Sequence, residues 1–303
     1  MENQQKPRKS VLFSQNLLRD SGLIEKLVND SSLTSDDTVY EIGAGKGIIT
    51  EVLASHCKNV VAIENDPQFV SQLKQRFASH SNVTIVQGNF LDYLLPKSSY
   101  KVFSNIPFNI TSDIVRKLVY ADTPPTDSYL ITQYEAALKF AGSPFGKESL
   151  SSVQIKPWFE LSIEYQFKKS DFTPEPNVKI VLLRIAKRQE PLISDDQSKV
   201  FKDFVAYVFN RSMPNIKVGL KHIFTGNQIS RIAKDLRFNE STTPTQLTFE
   251  QWLDLFKAFI ALVDINKRQI VGGSDSKLKK EQTSIEKYHR TRVSKNWKKE
   301  AIF

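Results

Sequence analysis

Asn105-Ile106-Pro107-Phe108 joins a neutral amide, a stiffened backbone and a flat apolar ring in four consecutive residues. That set suits chemistry on an exocyclic aromatic amine. The lone pair of such an amine is delocalised into its ring, which makes it a poor nucleophile. Neutral acceptors, here the Asn105 side-chain oxygen and a backbone carbonyl near Ile106, would draw its hydrogens out of the ring plane and localise the lone pair. Pro107 fixes φ and so preorganises those acceptors. Phe108 offers an apolar face on which a base taken out of its stack could rest. A methyl group could then pass in line from a sulfonium to the nitrogen, largely through the orientation of two bound partners and without a covalent enzyme intermediate. An Asn-x-Pro turn with a buried Phe would use the same residues for structure alone.

A second constellation lies upstream. Glu41-x-Gly43-x-Gly45-x-Gly47 follows an apolar run of strand type and precedes one of helix type. Glycines there let backbone approach a ligand closely, although a tight turn packing a helix on a sheet would need them too. Glu64 closes the next strand-like run twenty-one residues after Gly43. Dinucleotide sites place a ribose-binding acid about 20 residues on, and the alternative is an acid merely exposed at a strand end. The spacing is G-x-G-x-G rather than G-x-G-x-x-G, and the Asn105 tetrapeptide follows at the end of the fourth strand. Together these features predict S-adenosylmethionine as cofactor, held at Gly43, Gly45 and Glu64, with Asn105, Ile106, Pro107 and Phe108 as the catalytic segment.

These residues must be positioned by a sheet. Strand-length apolar runs at Thr38 to Ile42, Asn59 to Glu64, Val83 to Gln87, Tyr100 to Ser104 and Asp127 to Gln133 alternate with amphipathic stretches, and further strands are expected at Trp158 to Gln166 and Val178 to Ile185. The alternation predicts an α/β fold, a doubly wound Rossmann-like sheet. Beyond Lys187 the pattern turns wholly helical: Val200, Phe201, Phe204, Val205, Val208 and Phe209 share one face, and Trp252, Leu255, Phe256, Phe259 and Ile260 another. Such stripes read as core faces rather than stacking platforms. The expected organisation is therefore a catalytic domain over 1–189, a small all-α domain over 190–266 and a flexible basic tail over 267–303.

The chain carries a net charge of +9, and residues 267–303 hold eleven Lys/Arg against four Asp/Glu. Such a run suits an RNA partner, through counterion release from phosphates, or else is a solvated terminus. No apolar run approaches the ~20 residues of a membrane span, and the amino terminus lacks a signal-type hydrophobic segment. A cytoplasmic monomer without membrane association is expected. The lone Cys57 and four scattered histidines supply no plausible metal-ligand set.

From Phe13 to Phe259 these residues resemble the rRNA adenine dimethyltransferase family. Phe13-Ser14-Gln15-Asn16 is similar to its amino-terminal motif, Val39 to Thr50 to its cofactor loop, Ala62 to Asp66 to its ribose-binding segment and Ser104 to Thr111 to its catalytic loop. Phe172 to Ile185 resembles a further family segment. Ser14, the segment Ser128 to Ala136 and the helix Thr248 to Phe259 look closer to the Erm-type branch. That branch modifies an adenine of 23S large-subunit rRNA and confers resistance to macrolides, lincosamides and streptogramin B. The resemblance implies rRNA as partner, before ribosome assembly is complete. It also implies that Asn16 and Leu18 contact the cofactor, that Gly43 approaches its methionine part, that Glu64 holds the ribose and that Asn105 serves both cofactor and target amine. Two positions depart from the pattern. Asn89 stands where the family usually has an Asp accepting from the cofactor's adenine, with Asp92 nearby as a substitute, and Phe108 stands where many Erm-type enzymes have Tyr. Alternatives are the small-subunit (16S) dimethyltransferase, a methyltransferase of DNA or protein amines, and a non-catalytic binding relative.

Overall fold

The computed structural model describes residues 16–210 and 214–284. Phe13, Ser14, Gln15, Arg211 and the tail positions Tyr288 and Trp297 lie outside the described residues. The chain divides into two compact units at Ile193/Ser194, a little beyond the 189/190 boundary read from the pattern.

The first unit holds β1 (Leu17–Leu18), α1 (Ser21–Asn29), β2 (Thr38–Ile42), α2 (Ile48–His56), β3 (Asn59–Glu64), α3 (Pro67–Arg76), β4 (Val83–Gln87), β5 (Lys101–Asn105), α4 (Thr111–Val119), β6 (Asp127–Gln133), α5 (Tyr134–Ala141), α6 (Leu150–Ile155), β7 (Phe159–Gln166), β8 (Phe172–Thr173) and β9 (Ile180–Lys187). Seven strands form one sheet in the order β4-β3-β2-β5-β6-β9-β7. The first five are parallel, while β9 runs antiparallel to both β6 and β7. The expected doubly wound α/β sheet is present.

Strands buried on both faces explain the continuous apolar runs. Along β2, Tyr40 and Ile42 join a core with Ile114, Leu118 and Phe140 from α4 and α5. Val39 points the other way, into a core with Ile24 and Val28 from α1 and Leu53 from α2. Local signals set the helix starts: the Asp66 side chain caps α3 by accepting from the Gln68 N–H at 2.8 Å, with Pro67 in the first turn. A small two-stranded sheet pairs β1 with β8, Leu17 opposite Thr173 and Leu18 opposite Phe172. It ties the segment before α1 to a distant part of the chain.

The described residues of the second unit include α7 (Ser198–Val208), α8 (Ile216–Leu220), α9 (Gly226–Asp235), α10 (Phe249–Leu262) and α11 (Ser274–Ser284). Both stripes are core faces: Phe204 stacks on Phe259 at 4.7 Å, Phe201 meets Phe256 edge-on at 5.1 Å, and Phe209 stacks on Trp252 at 4.9 Å. The buried indole N–H of Trp252 donates to the Pro244 carbonyl at 3.2 Å. Of the tail read as flexible over 267–303, the described residues begin with a 3₁₀ turn at Lys267–Val271, with Val271 buried, and α11 follows it. The signal missed in the sequence is a partner on α7, described below. No helix among the described residues is long and apolar enough to cross a membrane.

Phe204 is fully buried at the centre of this aromatic cluster. Phe204→Ala should therefore destabilise the second unit by about 3–5 kcal/mol, the sum of lost transfer energy and a residual cavity. Chemical denaturation will check this, and a change below about 1 kcal/mol would remove Phe204 from the core.

Candidate active site

The strand order reverses between β2 and β5, and α/β sheets bind ligands beyond the carboxyl ends of strands at such a switch point. Here the two strands part early. Backbone register between them covers only Val39 with Lys101 and Tyr40 with Val102, whereas β2 stays paired with β3 as far as Ile42. Past the end of that ladder the Ser104 hydroxyl takes its place, donating to the Ile42 carbonyl at 2.6 Å and accepting from the Ile42 N–H at 3.1 Å. Ser104 is fully buried, so this one hydroxyl satisfies two backbone groups that would otherwise be orphaned. The glycine loop after β2 and the tetrapeptide after β5 then face each other across the gap.

The glycines do different work. Gly43 has φ +77°, and a Cβ there would lie 3.7 Å from Pro107 Cδ, so this residue lines the gap opposite the tetrapeptide. Gly47, φ +79°, turns inward: a Cβ would come within 2.7 Å of Leu73 and 2.8 Å of Phe77, which makes it the helix-packing glycine. Between them, the Gly45 N–H donates to Glu64 Oε2 at 2.8 Å, and the Asp66 N–H donates to Glu64 Oε1 at 2.8 Å. The Glu64 side chain is buried, not exposed at a strand end. It clamps the glycine loop while keeping the second lone pair of each oxygen.

At the end of β5, Asn105 donates through Nδ2 to the Asn16 carbonyl at 2.7 Å. That bond orients the amide and leaves Oδ1 buried without a partner. Three buried side-chain atoms among the described residues are unpartnered: Tyr100 Oη, Ser128 Oγ and Asn105 Oδ1. The first two sit toward the amino ends of the strands, since Ser128 is in register with Val102. Only Asn105 Oδ1 lies at the carboxyl edge, where a ligand is expected. An unmet buried acceptor costs about 1–3 kcal/mol, which a ligand donor would recover.

The rest of the tetrapeptide is rigidly held. The Ile106 N–H donates to the Ile131 carbonyl at 3.2 Å, and the Ile110 N–H donates to the Pro107 carbonyl at 3.2 Å. Thr111 Oγ1 donates to the Phe108 carbonyl at 3.2 Å and lies 3.0 Å from the Thr132 hydroxyl, tying the segment to β6. Phe108 is half-buried against the core under β1 and β8. Leu18 is buried beside it in that same core.

Asn89 is placed apart, exposed after β4. Its Oδ1 accepts from the Leu91 N–H at 3.1 Å and its Nδ2 donates to Asp92 Oδ2 at 2.9 Å. The two acceptors considered for one role are thus bonded to each other. Sequence reasoning missed Ser104, Thr111 and Thr132, because nothing local distinguishes a bridging hydroxyl from any other. It also missed Lys139 on α5, whose ammonium lies 3.5 Å from Ser112 Oγ beside the catalytic loop and whose pKa is lowered by burial and by the charge of Arg116.

With this geometry in place the comparisons can be set beside it. The family model described as ribosomal RNA adenine dimethylase matches residues 6–261. The chain belongs to that family. Its relatives include an rRNA adenine N-6-methyltransferase of Bacillus licheniformis, 32% identical over 249 residues that cover 82% of this chain and 86% of the relative. A ribosomal RNA small subunit methyltransferase A of Natranaerobius thermophilus is 29% identical over 277 residues, covering 83% of this chain and 91% of its own. The crystal structure of the 23S rRNA methyltransferase ErmE superposes with a TM-score of 0.75 at 27% identity, covering 81% of this chain and all of that one. The chain is accordingly an rRNA adenine methyltransferase, and the family implies S-adenosylmethionine as methyl donor. The residues present fit that group: a glycine loop at positive φ, a buried carboxylate with free lone pairs and an unmet buried acceptor meet at one gap.

Under the enzyme's glycine loop lies a second carboxyl group. Glu41 is buried, accepts from the Thr50 hydroxyl at 2.5 Å and is pushed up to about 8, by burial first and also by the nearby charge of Glu64. Because the folded value lies above the ordinary 4.5, the contribution to stability is complete below the unfolded value and is lost as pH rises through about 8. Relative to wild type, Glu41→Gln should therefore gain stability between about pH 6 and pH 9, by on the order of 1 kcal/mol or more. Thermal unfolding at both pH values measures this, and an identical difference at the two would show that Glu41 does not titrate as stated.

Proposed function

We propose that this enzyme transfers methyl from S-adenosylmethionine to N-6 of an adenine in 23S large-subunit rRNA, giving macrolide, lincosamide and streptogramin B resistance. It would act in the cytoplasm as a monomer, on rRNA before ribosome assembly is complete, with 1–189 as catalytic domain and 190–266 as RNA-binding domain. The observation that carries the reading is the buried, unpartnered Oδ1 of Asn105, held by the Asn16 carbonyl at the switch point.

When bound, the cofactor supplies an electrophilic methyl group on a sulfonium. Everything else is done by this chain. Glu64 accepts ribose hydroxyls with its remaining lone pairs while its loop-holding bonds fix their direction. Gly43 and Gly45 leave room for the methionine part, Asn16 and Leu18 close the amino-terminal side, and the second lone pair of Asn89 Oδ1 accepts from the cofactor's adenine amine. Asn105 Oδ1 accepts from the target amine, and the Ile106 carbonyl takes the second hydrogen. Each acceptor is neutral and already oriented, so little reorganisation remains at the moment of transfer. Pro107 keeps the backbone in place, and Phe108 supports the extruded base by stacking. No metal enters this scheme. Lys139 and Arg116 offer positive charge beside the loop for the RNA backbone.

The large-subunit assignment is supported by the likeness to the 23S rRNA methyltransferase ErmE. Primer extension on rRNA from cells with and without the protein tests it. A new stop in 23S rRNA is expected, whereas a stop in 16S rRNA would move the enzyme to the small-subunit branch. Asn105→Ala should lower the turnover of purified enzyme by about 10²–10³-fold, with a much smaller loss of cofactor affinity by calorimetry. Normal turnover would end its assignment to the amine. Phe108→Tyr should keep activity and Phe108→Ala should lose ~1–3 kcal/mol of transition-state stabilisation. Equal rates for the two variants on a hairpin RNA would exclude stacking.

A further inference from the structure

The family match ends at residue 261, yet the described chain continues to Ser284 and is fastened back onto its own unit. Val271 is buried at the base of this segment, and the start of α11 is held by a carboxylate. Asp203 on α7 is 5% exposed; its Oδ2 accepts from the Gly273 N–H at 3.0 Å and its Oδ1 from the Asp275 N–H at 3.0 Å. Amides at the start of a helix have no acceptor within it, so here a side chain of another helix caps α11. Gly273, φ +76°, makes the left-handed turn this requires.

The physical need for such a cap is plain from the sequence of α11. Leu278 is its one large apolar residue among Ser274–Ser284, and it is only half-buried. Apolar burial cannot hold so polar a helix, and the cap supplies what packing lacks. What the helix displays is charge: Lys277, Lys279 and Lys280 are exposed, with Lys279 paired to Asp275 at 2.6 Å. Lys277 borders a groove of about 280 Å³ whose opposite wall includes Tyr207 and Asn210 of the α7 segment. Residues 267–284 carry five Lys/Arg and two Asp/Glu. A net positive surface of this kind gains affinity for a polyanion by displacing its counterions.

We infer that residues 267–284, which lie beyond the family's matched region, form a phosphate-backbone contact for the RNA substrate, held on the helical unit by the Asp203 cap. The inference rests on the reading of this enzyme as an rRNA methyltransferase. The full-length protein, Lys277→Gln/Lys280→Gln, a truncation after Asn266 and Asp203→Ala are to be compared for binding to a labelled hairpin RNA carrying an unpaired adenine. Anisotropy across a range of salt concentrations gives affinity and slope. The double variant should bind several-fold more weakly at low salt, with a slope of log affinity against log salt shallower by about 1–2. The truncation should lose more, and the cofactor affinity of both should match wild type. Asp203→Ala should speed hydrogen exchange at the Gly273 and Asp275 amides and should bind RNA with intermediate affinity.

Equal salt slopes for the wild type, double variant and truncation would overturn the contact, as would weaker binding at an unchanged slope. Unchanged exchange at the two amides would overturn the anchor. Should Asp203→Ala fail to fold, the double variant, whose cap is intact, decides the question. Methylation of the hairpin by the full-length enzyme separates the two levels. Methylation with equal slopes overturns this inference alone, whereas no methylation of any RNA overturns the functional reading beneath it.

Discussion

Beyond Tyr40 and Val102 the two central strands cease to exchange backbone hydrogen bonds, and the Ser104 hydroxyl alone bridges β5 to Ile42. The active site depends on that parting. Had the ladder continued, Gly43 and Asn105 would belong to adjacent paired strands and no gap would exist between their loops. Had the strands parted without a bridge, two buried backbone groups would lack partners, at a cost of about 1–3 kcal/mol each. A hydroxyl that both donates and accepts resolves this in the volume of one small side chain, and so sets how far the two loops stand apart.

The loops on either side are held by polar groups rather than by packing. Glu64 holds the glycine loop through the Gly45 N–H and its own turn through the Asp66 N–H, and the Asn16 carbonyl fixes the Asn105 amide from the other side. Asn16 in turn precedes β1, whose pairing with β8 keeps this segment near the sheet. Each anchor leaves some capacity unused: the remaining lone pairs of Glu64 and the bare Oδ1 of Asn105. Preorganised, partly satisfied groups of this kind favour a ligand that completes them. Glu41 shows the electrostatic limit of the arrangement. Burial first, and then the neighbouring Glu64, holds the Glu41 carboxyl in its neutral form at neutral pH.

The helical unit obeys a different rule. Its core is aromatic and conventional, built from Phe201, Phe204, Trp252, Phe256 and Phe259. The last described helix has almost no apolar face and is attached instead through Asp203. A hydrophobic core gives a unit its stability, and a charged helix fastened to its outside keeps its lysines in water.

Much of this was legible in the residues themselves. Strand and helix periodicity revealed the parallel sheet, because burial on both faces forces continuous apolar runs that no turn or tail can imitate. Glycine spacing, the acid at the end of β3 and Asn105-Ile106-Pro107-Phe108 pointed to the candidate site, because few residue types can serve a close backbone approach or a neutral amine acceptor. The tertiary structure alone decided the rest. That Gly47 packs a helix while Gly43 lines the gap follows from which way each faces. That Asn105 keeps a free oxygen depends on the carbonyl of Asn16, far away in the chain. That residues 267–284 fold back rather than trail depends on a carboxylate on α7. Periodicity reports which residues are buried, but a hydrogen bond between distant segments leaves no periodic trace, so its partners become visible only once the chain has brought them together.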